Sequence, residues 1–450
     1  MNAAAVAKAM LHPRAIYITA AALLIPYLAL YAHHLAQNLD TPLGDDYPIH
    51  VYFALQARKN PLAVATTPGE YPSLVHLFGL ITADPLALGR IYAAYGALLI
   101  AAGAILYAAY FAQATGRRAV ALAGAVVVVG SVRTLAGITD GQIADKTVLL
   151  VVVPLSLLLY AKGRPAAAVA ALAPAAFINY LGLAYAAALA VAYAIYGGTR
   201  ARIALTALAL TGAALFTHKL AAAAQLAAYA AQPPLAPWDP LWGLIYAFYG
   251  PSAPLLAAAA AYAALKTKKT APLALAALIV LAAGLASPQY GERLMRIASL
   301  MLPAAAVGGL LEAGRRRAAA LVLAAYLAGP AAAGWAWATG HLDGLYAYVQ
   351  RLTPDKLHAY QQALEALPPH SNVQVMWQLD LWLVPLAKAQ RPDLNVTAVW
   401  CTWTPAQYYV YTPPDPRQWY MPCTLAAGPP HGREIAKWGE TALYEGPSRS

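Results

Sequence analysis

Long apolar runs follow one another along most of the chain, and they constrain its fold more than any other feature. A membrane-spanning helix needs roughly 20 consecutive apolar residues. Hydrophobic residues make up 61% of the 450 positions and charged residues 11%, against roughly 45–50% and 25% in soluble domains. The sequence therefore predicts an all-α polytopic membrane protein with about eleven transmembrane helices. The segments are 15–35, 87–115, 119–137, 143–161, 165–178, 180–197, 203–217, 242–265, 271–287, 294–312 and 318–338.

Positive charge is distributed unevenly between the polar breaks. If the N-terminus is cytoplasmic, the inner breaks hold one acid, Glu312, against a large excess of basic residues. Such an excess of Lys and Arg marks the cytoplasmic side, so we predict a multi-pass protein of the cell membrane with its N-terminus inside. The same distribution argues against a nucleic-acid partner, which needs a clustered basic face on a folded domain. The inner basic residues are Lys8, Arg14, Arg117, Arg118, Lys162, Arg164, Arg200, Arg202, Lys266, Lys268, Lys269, Arg315, Arg316 and Arg317.

An odd number of helices places the C-terminal tail on the outer side. We therefore divide the chain into a transmembrane domain, 1–338, and an extracytoplasmic domain, 339–450. The tail reads as a small α/β domain, because segments of helical and of alternating pattern follow each other. Helices are predicted from Pro354 to about Leu367 and over 381–390, and strands over 372–377, 395–401, 407–411 and 441–445.

Two features of the tail agree with an outer location. Cys401 and Cys423 are the only cysteines, and in an oxidising compartment a disulfide is their natural interpretation. Asn395 begins the sequon Asn-Val-Thr, which predicts glycosylation. The alternatives are that the two cysteines are free buried thiols and that the sequon occurs by chance.

The outer loop, 36–86, gathers ionisable residues between the first two apolar runs. It carries Asp45 and Asp46, then His50, Glu70 and His76. Ionisable groups held against a bilayer are costly unless solvated or paired, so such a cluster is a candidate functional site.

Proline and side-chain spacing predict a short helix in this loop, lying on the membrane surface. Pro48 suits the first turn of a helix. Asp46, His50 and Ala54 then follow at intervals of four residues and share one face.

The carboxylates of this loop can act in three ways. One can accept a proton from an acceptor hydroxyl as a general base. A pair such as Asp45 and Asp46 can hold a divalent cation through oxygen ligands. They can also be structural, capping helices or pairing with Arg58 or Arg133. No phosphate-binding loop, Gly-rich dinucleotide turn or His-Glu-x-x-His motif is present in the sequence.

A second outer site lies at the start of the run 294–312. The guanidinium groups of Arg293 and Arg296 match the geometry of a lipid phosphate. Contact with anionic lipid, or pairing with Glu292, are the alternatives.

The outer loop resembles that of the GT-C superfamily, the polytopic glycosyltransferases that take sugar from a polyprenyl-phosphate carrier. The acidic pair Asp45-Asp46, His50 on a following helix, and the motif Tyr71-Pro72 with His76 carry the resemblance. An outer arginine opening a helix that runs into Leu302-Pro303, and an outer C-terminal α/β domain after an odd number of helices, also resemble that superfamily.

The resemblance implies roles for particular residues. Asp45, Asp46 and His50 would be catalytic, with Asp46 preferred as the base because it shares a face with His50. Glu70, Tyr71 and His76 would line the acceptor side. The donor phosphate would be bound by Arg293 and Arg296, assisted by Arg133 or Lys146.

The resemblance also implies partners. These are a polyprenyl-phosphate-linked sugar as donor, membrane lipids, and a protein, lipid or glycan as acceptor. Metal-dependent members carry Asp-x-Asp, whereas this chain has adjacent aspartates, so a divalent metal on Asp45 and Asp46 is left open. Two other functions are also left open: a non-enzymatic transporter or flippase of a lipid-linked substrate, and an inactive scaffold with a GT-C-like fold.

Overall fold

The structure, a computed structural model, describes residues 13–42, 46–66, 73–131, 141–216, 252–287, 291–339, 352–400, 402–415 and 422–447. It is mostly helical, with a small sheet domain at the C-terminal end, as the sequence predicts.

The helices before the C-terminal domain are α1 (Pro13–Leu23), α2 (Ile25–Asp40), α3 (Tyr47–Lys59), α4 (Ala63–Thr66), α5 (Pro85–Thr115), α6 (Ala121–Val129), α7 (Ile143–Ala161), α8 (Pro165–Ala170), α9 (Tyr180–Tyr196), α10 (Gly198–Phe216), α11 (Ala253–Lys266), α12 (Ala271–Ala286), α13 (Gly291–Glu312) and α14 (Arg316–Ala338). The middle of α7 is a π-helix over Val148–Val152. Short 3₁₀ helices cover Leu74–Leu80, Arg118–Val120 and Ala173–Phe177.

Three helices in the described part are long and apolar enough to cross a membrane: Pro85–Thr115, Ile143–Ala161 and Arg316–Ala336. Tyr17–Leu23 and Ile25–Asp40, bent by 45° between them, make a fourth if they are counted as one broken span. The described chain thus gives three or four clear spans, and not the predicted eleven.

Some predicted segments are interrupted and others are too short to span, and this explains the correction. Segment 165–178 forms six residues of α8 and then a 3₁₀ turn with Pro174 near its start. Helix α12 is unbroken but has 16 residues, about 24 Å at 1.5 Å per residue, which is shorter than a hydrocarbon core of about 30 Å. Apolar composition therefore overcounted the helices that can span alone. Six shorter apolar helices are Arg118–Val129, Pro165–Phe177, Leu181–Tyr196, Ala253–Lys266, Ala271–Ala286 and Ala298–Glu312.

Glycine at helix contacts lets the backbones of neighbouring helices approach closely. A Cβ at Gly124 of α6 would lie 2.5 Å from the Tyr107 carbonyl oxygen of α5. A Cβ at Gly334 of α14 would lie 2.5 Å from the Tyr27 nitrogen of α2. Small residues at such contacts are typical of helices packed in membranes.

The C-terminal domain is a five-stranded mixed sheet with short helices around it. Strands β1, β2 and β3 are parallel, while β5 is antiparallel to β3 and to β4, giving the order β2-β1-β3-β5-β4. The predicted small α/β domain is thus present, and the sequence missed only the β4 strand and two short helices. The elements are α15 (Pro354–Ala366), β1 (Asn372–Met376), α16 (Trp377–Asp380), α17 (Leu383–Gln390), β2 (Asn395–Val399), β3 (Tyr408–Tyr411), α18 (Pro422–Ala427), β4 (Arg433–Trp438) and β5 (Thr441–Glu445).

A buried carboxylate ties together the helices and strands of this domain. Asp380 is fully buried and accepts hydrogen bonds from the Tyr360 hydroxyl at 2.7 Å and from the Thr412 hydroxyl and amide at 2.6 and 2.9 Å. The Lys356 ammonium lies 3.5 Å from the same carboxylate. Burial of a charge is tolerated when it is paired and hydrogen-bonded in this way.

The C-terminal domain packs against the end of the helical domain that carries α3. Helix α17 contacts α3, and the Leu352 amide donates to the Pro42 carbonyl at 3.1 Å. A Cβ at Gly89, near the start of α5, would lie 3.0 Å from the Trp382 ring. The small domain therefore sits on the predicted outer loop.

Candidate functional site

The candidate site is built on α3 and on the 3₁₀ helix Leu74–Leu80, which pack together. Pro48 stands in the first turn of α3, as the sequence predicts. Gly79 makes the close packing possible, since a Cβ there would lie 1.9 Å from the Ala54 carbonyl oxygen. The Tyr92 hydroxyl of α5 donates to the carbonyls of His50 and Val75, both at 3.2 Å, and so joins the two elements to the helical core.

His50 and His76, 26 residues apart, form a buried pair inside this contact. Their side chains are hydrogen-bonded at 3.0 Å, from Nδ1 of His50 to Nε2 of His76. His50 is 1% exposed and His76 is fully buried, and the ring of Phe53 stacks on His76 with 5.4 Å between centroids.

Backbone contacts determine which nitrogens carry the protons. The Ser73 amide donates to Nδ1 of His76 at 2.8 Å, so the proton of a neutral His76 is on Nε2 and points at Nδ1 of His50. His50 then carries its proton on Nε2 and donates it to the Gly141 carbonyl. The pair is a directed chain of hydrogen bonds that ends on the loop before α7.

Burial keeps both histidines neutral. Desolvation lowers the pKa of His50 from 6.5 to about 4, while the Gly141 carbonyl and Asp145 oppose part of that shift. Desolvation, and to a smaller extent His50, also lowers the pKa of His76 well below 6.5. Removal from water disfavours the charged imidazolium in both cases.

The loop before α7 reaches the start of α3 through a glycine. Gly141 has φ +93°, and a Cβ there would lie 2.7 Å from the Tyr47 amide nitrogen, so any other residue would be strained and would clash. Four residues later Asp145 pairs with Lys146, Oδ2 to Nζ at 2.6 Å, and both are buried. An ion pair is thus held close to the two histidines.

Asp46 lies at the edge of this group. It is half-buried and immediately precedes α3, without capping the helix by its side chain. The N-terminal end of a helix favours negative charge beside it, so the position suits an ionised carboxylate.

The structure brings together the side chains of His50, His76 and Lys146, with the backbone of Asp46 beside Gly141 at the start of α3. The predicted helix is present. Of the three residues predicted to share its face, His50 and Ala54 are buried, whereas Asp46 precedes the helix. Asp45, Glu70, Tyr71 and Arg133 lie outside the described residues, as does Cys401.

Three other predicted residues are described only by their backbone. Arg293 and Arg296 lie in α13 and Cys423 lies in α18. Asn395 is exposed at the start of β2, and its side chain donates to that of Asn372 at 2.8 Å. Among the described side chains, no group of three His, Cys, Asp or Glu is placed to hold a metal ion.

Sequence reasoning missed the contribution of Gly141, Asp145 and Tyr92. Lys146 was predicted as a site residue, whereas Asp145 next to it was not. An aspartate next to a lysine at the start of an apolar run is the sequence signal that could have found Asp145. No local pattern, however, connects this pair with the outer loop.

In chemical terms the site offers a carboxylate at its edge, a neutral histidine pair behind it and a buried ion pair beside them. A carboxylate so placed can accept a proton, while the buried groups fix the loops that hold it. No family model matches the chain, and no curated protein or solved structure shows significant similarity to it.

Proposed function

We propose that the protein is a polytopic membrane glycosyltransferase of the GT-C type, which moves a sugar from a polyprenyl-phosphate carrier to an acceptor on the outer face. The observation that carries this proposal is the convergence of Asp46, the His50–His76 pair and the Asp145–Lys146 pair at the start of α3, with the C-terminal domain packed on the same helix. The proposed topology has the N-terminus inside and the C-terminal domain outside, with Cys401 bonded to Cys423.

Asp46 acts as the general base in this proposal. The acceptor oxygen attacks the anomeric carbon, its proton passes to the Asp46 carboxylate, and the bond from that carbon to the phosphate oxygen breaks. The leaving group is the polyprenyl phosphate. General-base catalysis of this kind contributes about 10²–10⁴ in rate.

We assign His50 and His76 a positioning role, although the GT-C resemblance implies a catalytic role for His50. Both are buried and have lowered pKa values, and the shared hydrogen bond holds α3 and the 3₁₀ helix in register. Lys146 is 1% exposed and paired with Asp145, so it stabilises the site without contacting the substrate. Arg293 and Arg296 bind the donor phosphate.

The placement of charge favours transfer over transport. Transporters place polar groups and broken helices near the middle of the bilayer. In the three clear spans the charged side chains lie within the first two turns: Arg90 in α5, Asp145 and Lys146 in α7, Arg316 and Arg317 in α14. Chemistry at the membrane surface fits this arrangement better than a path through it.

Native mass spectrometry of the protein extracted from its own membranes tests the donor site. We expect a co-purifying polyprenyl phosphate or its glycosylated form, and we expect Arg293→Ala/Arg296→Ala to lose it. The control is Arg90→Ala, which removes an exposed cation near the start of α5 and should retain the carrier. Wild-type protein without a carrier, or a carrier retained by the double variant, would argue against the donor site.

A further inference from the structure

The end of α5 that is remote from the candidate site collects positive charge. This helix has 31 residues, about 45 Å at 1.5 Å per residue, and the outer loop and Trp382 contact its first half. Its last residues lie beside two other helix junctions. We call the three segments together the basic corner: 113–118 at the end of α5, 266–270 between α11 and α12, and 312–317 between α13 and α14.

Glu312 joins two of these junctions. Its carboxylate accepts hydrogen bonds from the amides of Lys268 and Lys269 at 3.0 and 2.9 Å and from that of Thr270 at 2.7 Å. Three amides on one carboxylate satisfy most of its hydrogen-bonding capacity. The one acid among the inner breaks is therefore engaged with backbone.

Lys269 joins the third junction. Its ammonium donates to the Gln113 carbonyl at 2.9 Å, and its own carbonyl accepts from the Tyr110 hydroxyl at 3.4 Å. These bonds hold the end of α5 beside the loop that Glu312 fixes, so the cations of all three junctions face one region.

The remaining cations of the basic corner are exposed. Within the described part of the chain none of them forms an ion pair with an acid, since the ion pairs found there involve other residues. The exposed cations are Arg117, Arg118, Lys266, Lys268, Arg315, Arg316 and Arg317. These seven cations create a strongly positive surface, which attracts anionic ligands.

Exposed apolar side chains beside these cations identify the kind of partner. Leu265 is 81% exposed next to Lys266, and Leu321 is 62% exposed one turn after Arg317. Leu122 is 43% exposed one turn after Arg118. A boundary at which charge changes to exposed aliphatic surface matches the level of lipid headgroups, with acyl chains on one side and water on the other.

We propose that the basic corner binds the phosphate headgroups of anionic membrane lipids. Guanidinium groups form paired hydrogen bonds with phosphate oxygens, and the apolar side chains next to them contact the first acyl carbons. This inference depends on membrane insertion alone and does not depend on glycosyl transfer.

The test is lipid retention by the full chain purified from vesicles of equal parts phosphatidylglycerol and phosphatidylcholine. We expect the wild type to retain several-fold more phosphatidylglycerol, and Arg315→Gln/Arg316→Gln/Arg317→Gln to lose at least half of that enrichment. The matched control is Lys59→Gln/Arg433→Gln/Lys437→Gln, which removes three exposed cations elsewhere and should keep the enrichment.

Equal retention of the two lipids by the wild type, or unchanged enrichment in the arginine variant, would overturn the proposal. So would preferential binding of an added RNA that displaces phosphatidylglycerol. If the arginine variant does not fold, Lys266→Gln/Lys268→Gln tests the same corner. The charge-conserving variant Arg315→Lys/Arg316→Lys/Arg317→Lys should keep the enrichment, because it keeps the positive charge.

Discussion

His50 and His76 link the geometry of the candidate site to its protonation. The chain of donors that runs from the Ser73 amide to the Gly141 carbonyl is complete only when both rings are neutral. A proton added to Nδ1 of His76 would face the Ser73 amide, which is itself a donor. A proton added to Nδ1 of His50 would face the Nε2–H of His76 in the same way. The loops on either side of the pair are therefore held most firmly at neutral pH.

Stability should fall as the pH is lowered from about 6.5 to about 4. Burial lowers the pKa of both histidines in the folded state, so over this range the unfolded chain binds more protons than the folded chain. The free energy of unfolding then decreases as pH falls, by up to about 1.4 kcal/mol per pH unit for each group. We expect this slope in thermal or chemical unfolding in nanodiscs between pH 7.5 and pH 4.5.

A variant of the pair separates this effect from general acid sensitivity. His76→Gln removes one titrating group and should flatten the decline, whereas His431→Gln, at an exposed site of the C-terminal domain, should leave it unchanged. Identical pH profiles for wild type and His76→Gln would exclude the neutral pair as the cause.

At the scale of elements, the candidate site depends on how closely α3 approaches the 3₁₀ helix Leu74–Leu80. Gly79 sits where the two backbones meet, and the Arg58 guanidinium donates to its carbonyl at 3.2 Å. The sequence suggested Arg58 as a partner for a carboxylate, yet the structure gives it a backbone carbonyl. These contacts position His50 opposite His76.

Gly79→Ala should destabilise the protein by about 1–3 kcal/mol, the usual cost of overpacking. The added methyl group would lie 1.9 Å from the Ala54 carbonyl oxygen, so the two elements must separate. Gly212→Ala in α10 is the matched control, because nothing lies within 4 Å of its Cβ position, and it should be neutral or slightly stabilising. Equal unfolding midpoints for wild type and Gly79→Ala would show that the contact is not tight.

Much of this local structure could be predicted from the sequence. Pro48 and the four-residue spacing identified α3, and Pro354 identified the start of α15. Strand β4 was missed because most of Arg433–Trp438 is exposed and no apolar alternation marks it. The Gly141 contact was missed because it joins residues that are 94 positions apart, and only packing brings them together.

At the scale of the whole molecule, composition predicted the helical class but overestimated the spans. An apolar helix looks the same in sequence whether it crosses a membrane or is buried among other helices. Helix α12 illustrates this, since its 16 residues are all apolar but nine of them are buried within the protein. The described structure also has two chemically different ends, with the candidate site and the C-terminal domain at one and the basic corner at the other.

Sugar transfer by wild-type protein and an Asp46 variant tests the central claim most directly. Membranes that contain the protein would be supplied with isotopically labelled polyprenyl-phosphate sugars, and label passing to a membrane acceptor would be measured. We expect Asp46→Asn to lower transfer by about 10²–10⁴ without changing the unfolding midpoint. Asp40→Asn, an exposed aspartate at the end of α2, should transfer normally. Full transfer by Asp46→Asn, or none by the wild type with any donor, would contradict the account.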